Sequence, residues 1–458
     1  MKIKEIYERH CNTASDINEH LPALYEYAKK CDHVTEMGTR SVVSAWAFAL
    51  ANPKKLVCYD IERHINVNEL EQVAKESGVN LEFIEADVLK TEIEETDFLF
   101  IDTFHTYTQL SMELKLHSHK ARKYIGFHDT TSFGFRDEND YECISELVKD
   151  VEKKKAGLVP AIDEFMSSEL GSCWEVDKIF MYNNGLTILR NKNYFENEKK
   201  IKLDFLKRIL TDSTENEQVY NDFIDNNGKY PSIEVMQSIL NKPASNDIIE
   251  GLVHPVRGFT MIGLKRLDNV HESLDYIRLN KIEGDIIETG VWRGGCCIFI
   301  KAYLDLYGIK KRVFVADSFE GLPYPDVNKY PADMGDMHYT YNHLKVSLEQ
   351  VKENFKKCNT LDENVIFLKG WFSDTLNDND SIGKLSMLRF DGDMYGSTID
   401  VLTPLYPKLV DNGIIIIDDY CLPNCVKAVT DYRNQNNITD NIKVVDTCGV
   451  WWYKNSSN

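Results

Sequence analysis

Four consecutive isoleucines, Ile414–Ile417, stop abruptly at Asp418-Asp419-Tyr420. An apolar stretch that begins at Leu385 stops in the same way at Asp391-Gly392-Asp393, and a helical stretch lies between the two. An unbroken apolar, β-branched run is what a strand buried on both faces requires. In an open α/β sheet the carboxyl ends of the strands meet in one crevice, where ligands bind. Acids from two strands therefore converge there. Asp391, Asp418 and Asp419 are the candidate ligands of a divalent cation, Mg²⁺ ahead of Mn²⁺ or Ca²⁺, because hard cations take oxygen donors. Asp393 is read as supporting them. The plainer alternative is a set of turn acids that cap nearby backbone. Three carboxylates on adjacent strand tips, however, repel one another unless a cation or a proton compensates.

The rest of the chain supplies the sheet around these tips. Residues 1–30 read as helical. The strand His33–Met37 runs into Gly38-Thr39-Arg40-Ser41 and a helix over Val42–Leu50. The next strand ends at Asp60, a third at Ala86-Asp87, a fourth at Asp102 and a fifth at His128-Asp129. Asn183-Asn184-Gly185 marks a hairpin that would close this sheet. The pattern then returns. Ile286–Gly295 matches Glu36–Ser41, Val313–Ala316 ends at Asp317, and the two acid-terminated strands follow. Such a repeat predicts two α/β domains of one type. Between them, residues 193–250 shift to Lys, Glu, Asn and Asp and read as a helical, partly flexible connector. The expected domains are 1–192 and 251–458. One feature does not repeat: Gly321–His343, rich in Pro, Tyr, Asp and Met, is placed as a lid or substrate wall.

Composition narrows the partners. With 53 basic and 73 acidic residues the formal charge is −20, which argues against a nucleic-acid backbone as partner. The 11 cysteines form no CxxC pair and read as reduced, mostly buried thiols of a cytoplasmic protein. Cys296-Cys297 are placed in the core, as are Trp451-Trp452. No apolar h-region opens the sequence and no apolar run approaches the roughly 20 residues of a membrane span.

Asp60 follows Gly38, and Asp317 follows Gly295, at the roughly 20-residue interval that separates a glycine turn from a ribose-binding acid. The turn at Gly290 and Gly294-Gly295 would let backbone approach a ligand closely. Glu288, an acid on its strand side, suits the amino group or sulfonium of S-adenosylmethionine. A strand-end acid and turn glycine in any Rossmann-like domain would look alike at this level. A metal at the acid tips could bind vicinal hydroxyls and hold one in line with a methyl donor. His338 and His343 in the lid are candidate bases, though a loop histidine is more simply solvated.

The second half resembles the macrocin/mycinamicin-type family of sugar O-methyltransferases. The resemblance is carried by Thr260–Gly263 with Arg266–Asn269, GDIIETGVWRGG from Gly284, ADSFEGLP from Ala316, LKGWFSDTL from Leu368, RFDGDMYGST from Arg389, and IIDDY ending at Tyr420. It implies methyl transfer from S-adenosylmethionine to a sugar hydroxyl with Mg²⁺. By that resemblance Asp391, Asp418 and Asp419 hold the metal, and Asp391 is also the catalytic base. Glu288, Gly290 and Asp317 hold the cofactor, and Met261 lies in the segment that closes over it. The first half resembles class I methyltransferase domains related to the cephalosporin-hydroxylase group, through TEMGTR, FIDTFHTYTQL, GFHDT and NNGLTIL. That implies cofactor contacts at Glu36, Gly38, Asp60 and Asp87 and a metal on Asp102 and Asp129. His128 stands where the C-terminal half has an acid, and could ligate a cation or act as a base.

The sequence thus predicts two tandem Rossmann-like class I methyltransferase domains joined by a helical connector. The expected activity is O-methylation of a sugar on a small molecule or glycan, at two sites per chain. No nucleic-acid or membrane-spanning role is expected, and a homo-oligomer is allowed. The competing expectations are that only the C-terminal domain is catalytic, with the N-terminal one binding glycan or driving oligomerisation, or that the N-terminal one performs hydroxylase-like metal chemistry.

Overall fold

A computed structural model of the chain describes residues 2–139, 145–149 and 155–455. It divides into two compact units, Met1–Asn197 and Glu198–Asn458. The first holds strands β1 (His33–Met37), β2 (Lys55–Asp60), β3 (Leu81–Glu85), β4 (Thr96–Ile101), β5 (Ala121–His128), β6 (Trp174–Phe180) and β7 (Leu186–Asn191). The second holds β8 (Asp285–Thr289), β9 (Val313–Asp317), β10 (Val365–Lys369), β11 (Leu385–Phe390), β12 (Leu409–Ile417), β13 (Lys443–Val444) and β14 (Val450–Tyr453). The sheet orders are β3-β2-β1-β4-β5-β7-β6 and β10-β9-β8-β11-β12-β14-β13. Counted from each unit's own first strand, the two orders are identical. Five strands run parallel and the last two pair antiparallel in each. The N-terminal hairpin turns at Asn183, Asn184 and Gly185, all at positive φ, as the Asn-Gly signal predicts.

The isoleucine run shows why this sequence makes this sheet. Ile414 and Ile416 pack in one apolar cluster with Phe299 and Val315. Ile415 and Ile417 pack in the cluster on the other face with Leu388, Phe314 and Trp452. Both faces are covered, so no position in the run tolerates a polar residue. Burying each such side chain stabilises the fold by about 1.5–3 kcal/mol.

Each unit bends its chain at a glycine where positive φ and a close backbone approach together exclude a side chain. Gly38 has φ +88, and a Cβ there would lie 2.1 Å from the Asp102 carbonyl oxygen. Gly290 has φ +77, and a Cβ there would lie 1.8 Å from the Asp391 carbonyl oxygen. The first strand's turn passes directly over the end of the fourth, which places glycine backbone and strand-end acid side by side.

Two expectations need correction. Residues 193–250 are helical (Lys192–Leu210, Glu217–Asp225, Ile233–Leu240 and Asn246–Ile249), but they are not a separate connector. Leu203, Phe205, Ile209, Phe223 and Met236 are buried in the core of the second unit with Phe299 and Tyr303. The polar composition belongs to the outer faces of helices whose inner faces are apolar. The cysteines are not all reduced: Cys421 and Cys448 form a disulfide, their Cα atoms 4.5 Å apart. Tyr420 N donates to Cys448 O at 3.0 Å, which draws the two loops together. Among the described residues no helix is long and apolar enough to cross a membrane.

Candidate active site

A cavity of about 570 Å³ opens at the carboxyl ends of the strands of the second unit. That volume lies within the roughly 300–1,000 Å³ of small-molecule sites. Met261, Glu288, Gly290, Asp317, Asp391 and Asp419 all line it. The expected lid lines it too, through residues from Gly321 to His343, including His338. The lid is pinned by Asp333, whose carboxylate accepts from Tyr395 N at 2.7 Å and Gly396 N at 2.8 Å. The helix Tyr395–Leu405 has no capping side chain of its own, so a residue of the distant loop satisfies its first N–H groups.

Three carboxylates meet at the floor. Asp391, Asp393 and Asp419 each offer an oxygen, all within 4.8 Å of one another. Asp419 Oδ2 also accepts from Gly392 N and Asp393 N at 2.9 Å each, tying the β12 tip to the β11 turn. Burial, then the neighbouring Asp391, pushes the Asp393 carboxyl up to about 8. Burial, then Asp393, pushes Asp419 up to about 8. Asp391 is raised well above the carboxylate range by burial, then by Asp419 and Asp418. The cluster is therefore short of positive charge. An all-oxygen set of this kind fits a hard dication such as Mg²⁺.

Asp418 is placed differently from the expectation. Its Oδ1 accepts from Arg389 Nη2 at 2.6 Å and its Oδ2 from Arg266 Nη1 at 2.6 Å. Burial alone would raise its pKa, but the two guanidiniums outweigh burial and hold it below the usual range. Each oxygen accepts from a guanidinium, and Asp393 completes the group of three close carboxylates with Asp391 and Asp419, while Asp418 still lines the cavity. Glu288 is likewise engaged: Arg389 Nη1 donates to its Oε1 at 2.5 Å and Cys297 Sγ to its Oε2 at 2.7 Å. Arg266 Nε lies 2.9 Å from Asp446 Oδ2. Glu288, Arg389, Asp418, Arg266 and Asp446 thus form one buried chain of alternating charge beneath the cavity. Both arginines lie in segments that carry the family resemblance, but the sequence alone gives them no role. The available signal was Arg389 itself, a charge inside an otherwise apolar strand, which is rarely buried unless paired.

Asp317 ends β9 at the cavity wall. Its Oδ2 accepts from Val291 N at 2.8 Å and its Oδ1 from Phe319 N at 2.7 Å. Asp60 repeats the arrangement, accepting from Arg40 N at 2.6 Å and Glu62 N at 3.1 Å.

The N-terminal tips differ. The cavity beside Gly38 holds about 80 Å³ and is lined by Gly38, Asp60, Asp87, Asp102, His105 and Glu138, among others. Glu36 does not reach it: the side chain is buried and accepts from Ser44 Oγ at 2.5 Å. His128 does not reach it either, at 1% exposure. Its Nδ1 lies 3.2 Å from Asp102 Oδ1 and 3.5 Å from Asp129 Oδ2. His105, which the sequence reading did not single out, is the imidazole on the cavity wall. Burial would lower both histidines, but the carboxylates around them outweigh it and push each up to about 10.

The sequence pattern of the macrocin-O-methyltransferase (TylF) family matches residues 199–454, more than half of the chain. The matched segment takes in the helices read from sequence as a connector. Mycinamicin III 3''-O-methyltransferase of Micromonospora griseorubida is 43% identical over 207 residues, 44% of this chain and 81% of that protein. The 8-demethyl-8-(2,3-dimethoxy-alpha-L-rhamnosyl)-tetracenomycin-C 4'-O-methyltransferase of Streptomyces olivaceus is 38% identical over 259 residues, 56% of this chain and 94% of that protein. Among solved structures, the O-methyltransferase NovP is 35% identical, with a TM-score of 0.48 over 56% of this chain and 100% of that one.

Proposed function

The chain belongs to the macrocin-O-methyltransferase family, and from that premise we propose that its C-terminal unit transfers a methyl group from S-adenosylmethionine to a sugar hydroxyl. The observation that carries the reading is the acid cluster Asp391, Asp393 and Asp419 on the floor of a cavity whose wall holds the Gly290 turn and Asp317. Asp317 takes the ribose hydroxyls of the cofactor, the Gly290 turn presents backbone to it, and Met261 covers it. Glu288 does not meet the cofactor's cationic end alone; it holds Arg389 and so fixes the floor. Asp391, Asp393 and Asp419 would hold Mg²⁺, which would lower the pKa of a bound sugar hydroxyl. Asp391 accepts the hydroxyl proton, a role suited by a carboxyl whose basicity burial and the neighbouring Asp419 and Asp418 raise. The lid, pinned through Asp333, excludes water from the transfer. The acceptor is a sugar on a small molecule or a glycan.

Two readings of the N-terminal unit remain in play. The shared strand order and glycine turn support a second transfer site. The cavity of about 80 Å³ supports the reading in which only the C-terminal unit binds cofactor, since it is well below the roughly 300 Å³ of small-molecule sites. We favour the latter. Calorimetric titration of the full chain with S-adenosylhomocysteine in Mg²⁺ tests both. One site per chain, lost in Asp317→Ala and kept in Asp60→Ala, is the expected result. Two sites would restore the bifunctional reading, and no binding by folded protein would remove the assignment.

A further inference from the structure

We propose that the N-terminal unit holds a mixed imidazole–carboxylate centre for a first-row transition-metal dication, ligated by His105, His128, Asp102 and Asp129. The inference does not depend on methyl transfer in either unit.

Asp102, His128 and Asp129 each present one ligand atom within 4.8 Å of the others. His105 joins them from the loop after β4, its Nε2 lying 3.1 Å from Asp102 Oδ1 and 3.1 Å from Asp129 Oδ2. His128 Nδ1 faces the same two oxygens from another direction, at 3.2 and 3.5 Å. Each ring nitrogen carries one proton or one lone pair, yet each faces two carboxylate oxygens. Hydrogen bonding cannot fill all four contacts. Only the two to Asp102 have hydrogen-bond geometry. Asp129 Oδ1 is buried and accepts no hydrogen bond, on a residue only 4% exposed. A cation among these groups would interact with every donor at once, and with either oxygen of Asp129.

The surroundings of His105 are those of a metal ligand. Its Nδ1 lies 2.8 Å from Glu138 Oε2. A ligating histidine gives its other ring N–H to a carboxylate, which fixes the tautomer and turns the free lone pair toward the metal. The ring also stacks on Phe133, centroids 5.1 Å apart and planes within 3°. Two further constraints thus hold one orientation. Two imidazole nitrogens and two carboxylate oxygens suit Mn²⁺, Fe²⁺, Co²⁺, Ni²⁺ or Zn²⁺. Mg²⁺ prefers oxygen and suits the other cluster, Asp391, Asp393 and Asp419, which contains no nitrogen. The two units would then hold different metals.

The test uses the full chain, stripped with chelator and loaded with Zn²⁺ or Co²⁺ in excess Mg²⁺. Bound metal is counted by mass spectrometry after desalting. One equivalent of transition metal per chain is expected. His105→Ala should weaken its binding by about 10- to 100-fold or more, the loss typical even of outer-sphere changes. Asp391→Asn should leave it unchanged. If His105→Ala does not fold, the paramagnetic proton spectrum of the wild-type Co²⁺ form decides. It should show two exchangeable imidazole N–H signals, one each from His105 and His128. Binding no tighter than that of Mg²⁺ would overturn the proposal. So would retention unaffected by His105→Ala, or loss in Asp391→Asn instead, and the cluster would then be a buried ion-pair network.

Discussion

Arg389 Nη2 donates to Asp418 Oδ1 at 2.6 Å, joining the interior of one strand to the tip of its neighbour. The guanidinium is 1% exposed and also holds Glu288. Removing it would leave two buried carboxylates short of a partner. Breaking a buried pair from one side costs about 3–5 kcal/mol. Arg389→Met is therefore expected to lower the free energy of unfolding of the C-terminal unit in urea by that much, and the urea midpoint with it. It should also reduce methyl transfer, because the floor of the cavity rests on Asp418 and Glu288. A midpoint equal to that of the wild type would show that the ion-pair chain adds nothing.

Asp393 and Asp418 are engaged differently, and two variants separate them. Asp393 offers an oxygen to the acid cluster, whereas both oxygens of Asp418 are held by arginine. Asp393→Asn should weaken Mg²⁺ activation of transfer by about tenfold or more, a loss seen when a metal's surroundings are altered, with little change in stability. Asp418→Asn should do the reverse, lowering stability by up to about 3–5 kcal/mol because Arg389 and Arg266 each lose one of their two buried carboxylate partners. Chelator should abolish transfer, and added Mg²⁺ restore it. The same Mg²⁺ dependence in Asp393→Asn as in the wild type would place the metal elsewhere.

What could be read from the sequence and what could not follows a physical line. The isoleucine run, the strand-end acids and the glycine turns are local, and each demands one backbone state, so the repeated sheet could be read directly. Side-chain assignments at the tips could not. Asp418 and Asp393 both line the cavity; which of them is tied up in ion pairs depends on Arg266, which arrives from a remote helix, and on the left-handed turn at Asp393, φ 53. His105 went unnoticed because only folding brings Glu138 and Phe133 against it. The Cys421–Cys448 pair has no spacing signature, and the first helix of 193–250 hides its burial because polar residues such as Lys207 and Arg208 are buried in it along with Leu203, Phe205 and Ile209. Arg389 alone left a readable trace, as a charge in a buried strand.

The glycine turn makes a sharp prediction. Gly290→Ala would put a methyl group 1.8 Å from the Asp391 carbonyl oxygen, and the atom it meets is backbone. Gly308 has a comparable φ of +64 but nothing within 4 Å of an added Cβ. Gly308→Ala should therefore cost only the left-handed penalty, about 1–2 kcal/mol. Gly290→Ala should cost about 4 kcal/mol or more, in the range reserved for a specific clash. Thermal unfolding of the two variants measures the difference. Equal costs would mean that the turn yields and the close approach is not enforced.

Glu36 supplies a pH dependence whose sign is fixed by burial. The carboxyl is pushed from its ordinary 4.5 up to about 7, by burial first, with the Ser44 hydroxyl opposing. The folded chain keeps a proton that the unfolded chain releases between these values. The stabilising contribution is therefore fully present below pH 4.5 and is lost as pH rises through 7. A shift of this size corresponds to about 3 kcal/mol. Glu36→Gln keeps an oxygen for Ser44 but cannot ionise. Its stability relative to the wild type should rise by about 3 kcal/mol between pH 4.5 and pH 8, read from urea unfolding of the N-terminal unit. Glu113, also pushed up to about 7 by burial, is present in both proteins and cancels in the difference. A flat difference across that range would mean that Glu36 ionises freely, as it would if its carboxylate faced a cofactor's ammonium rather than the core.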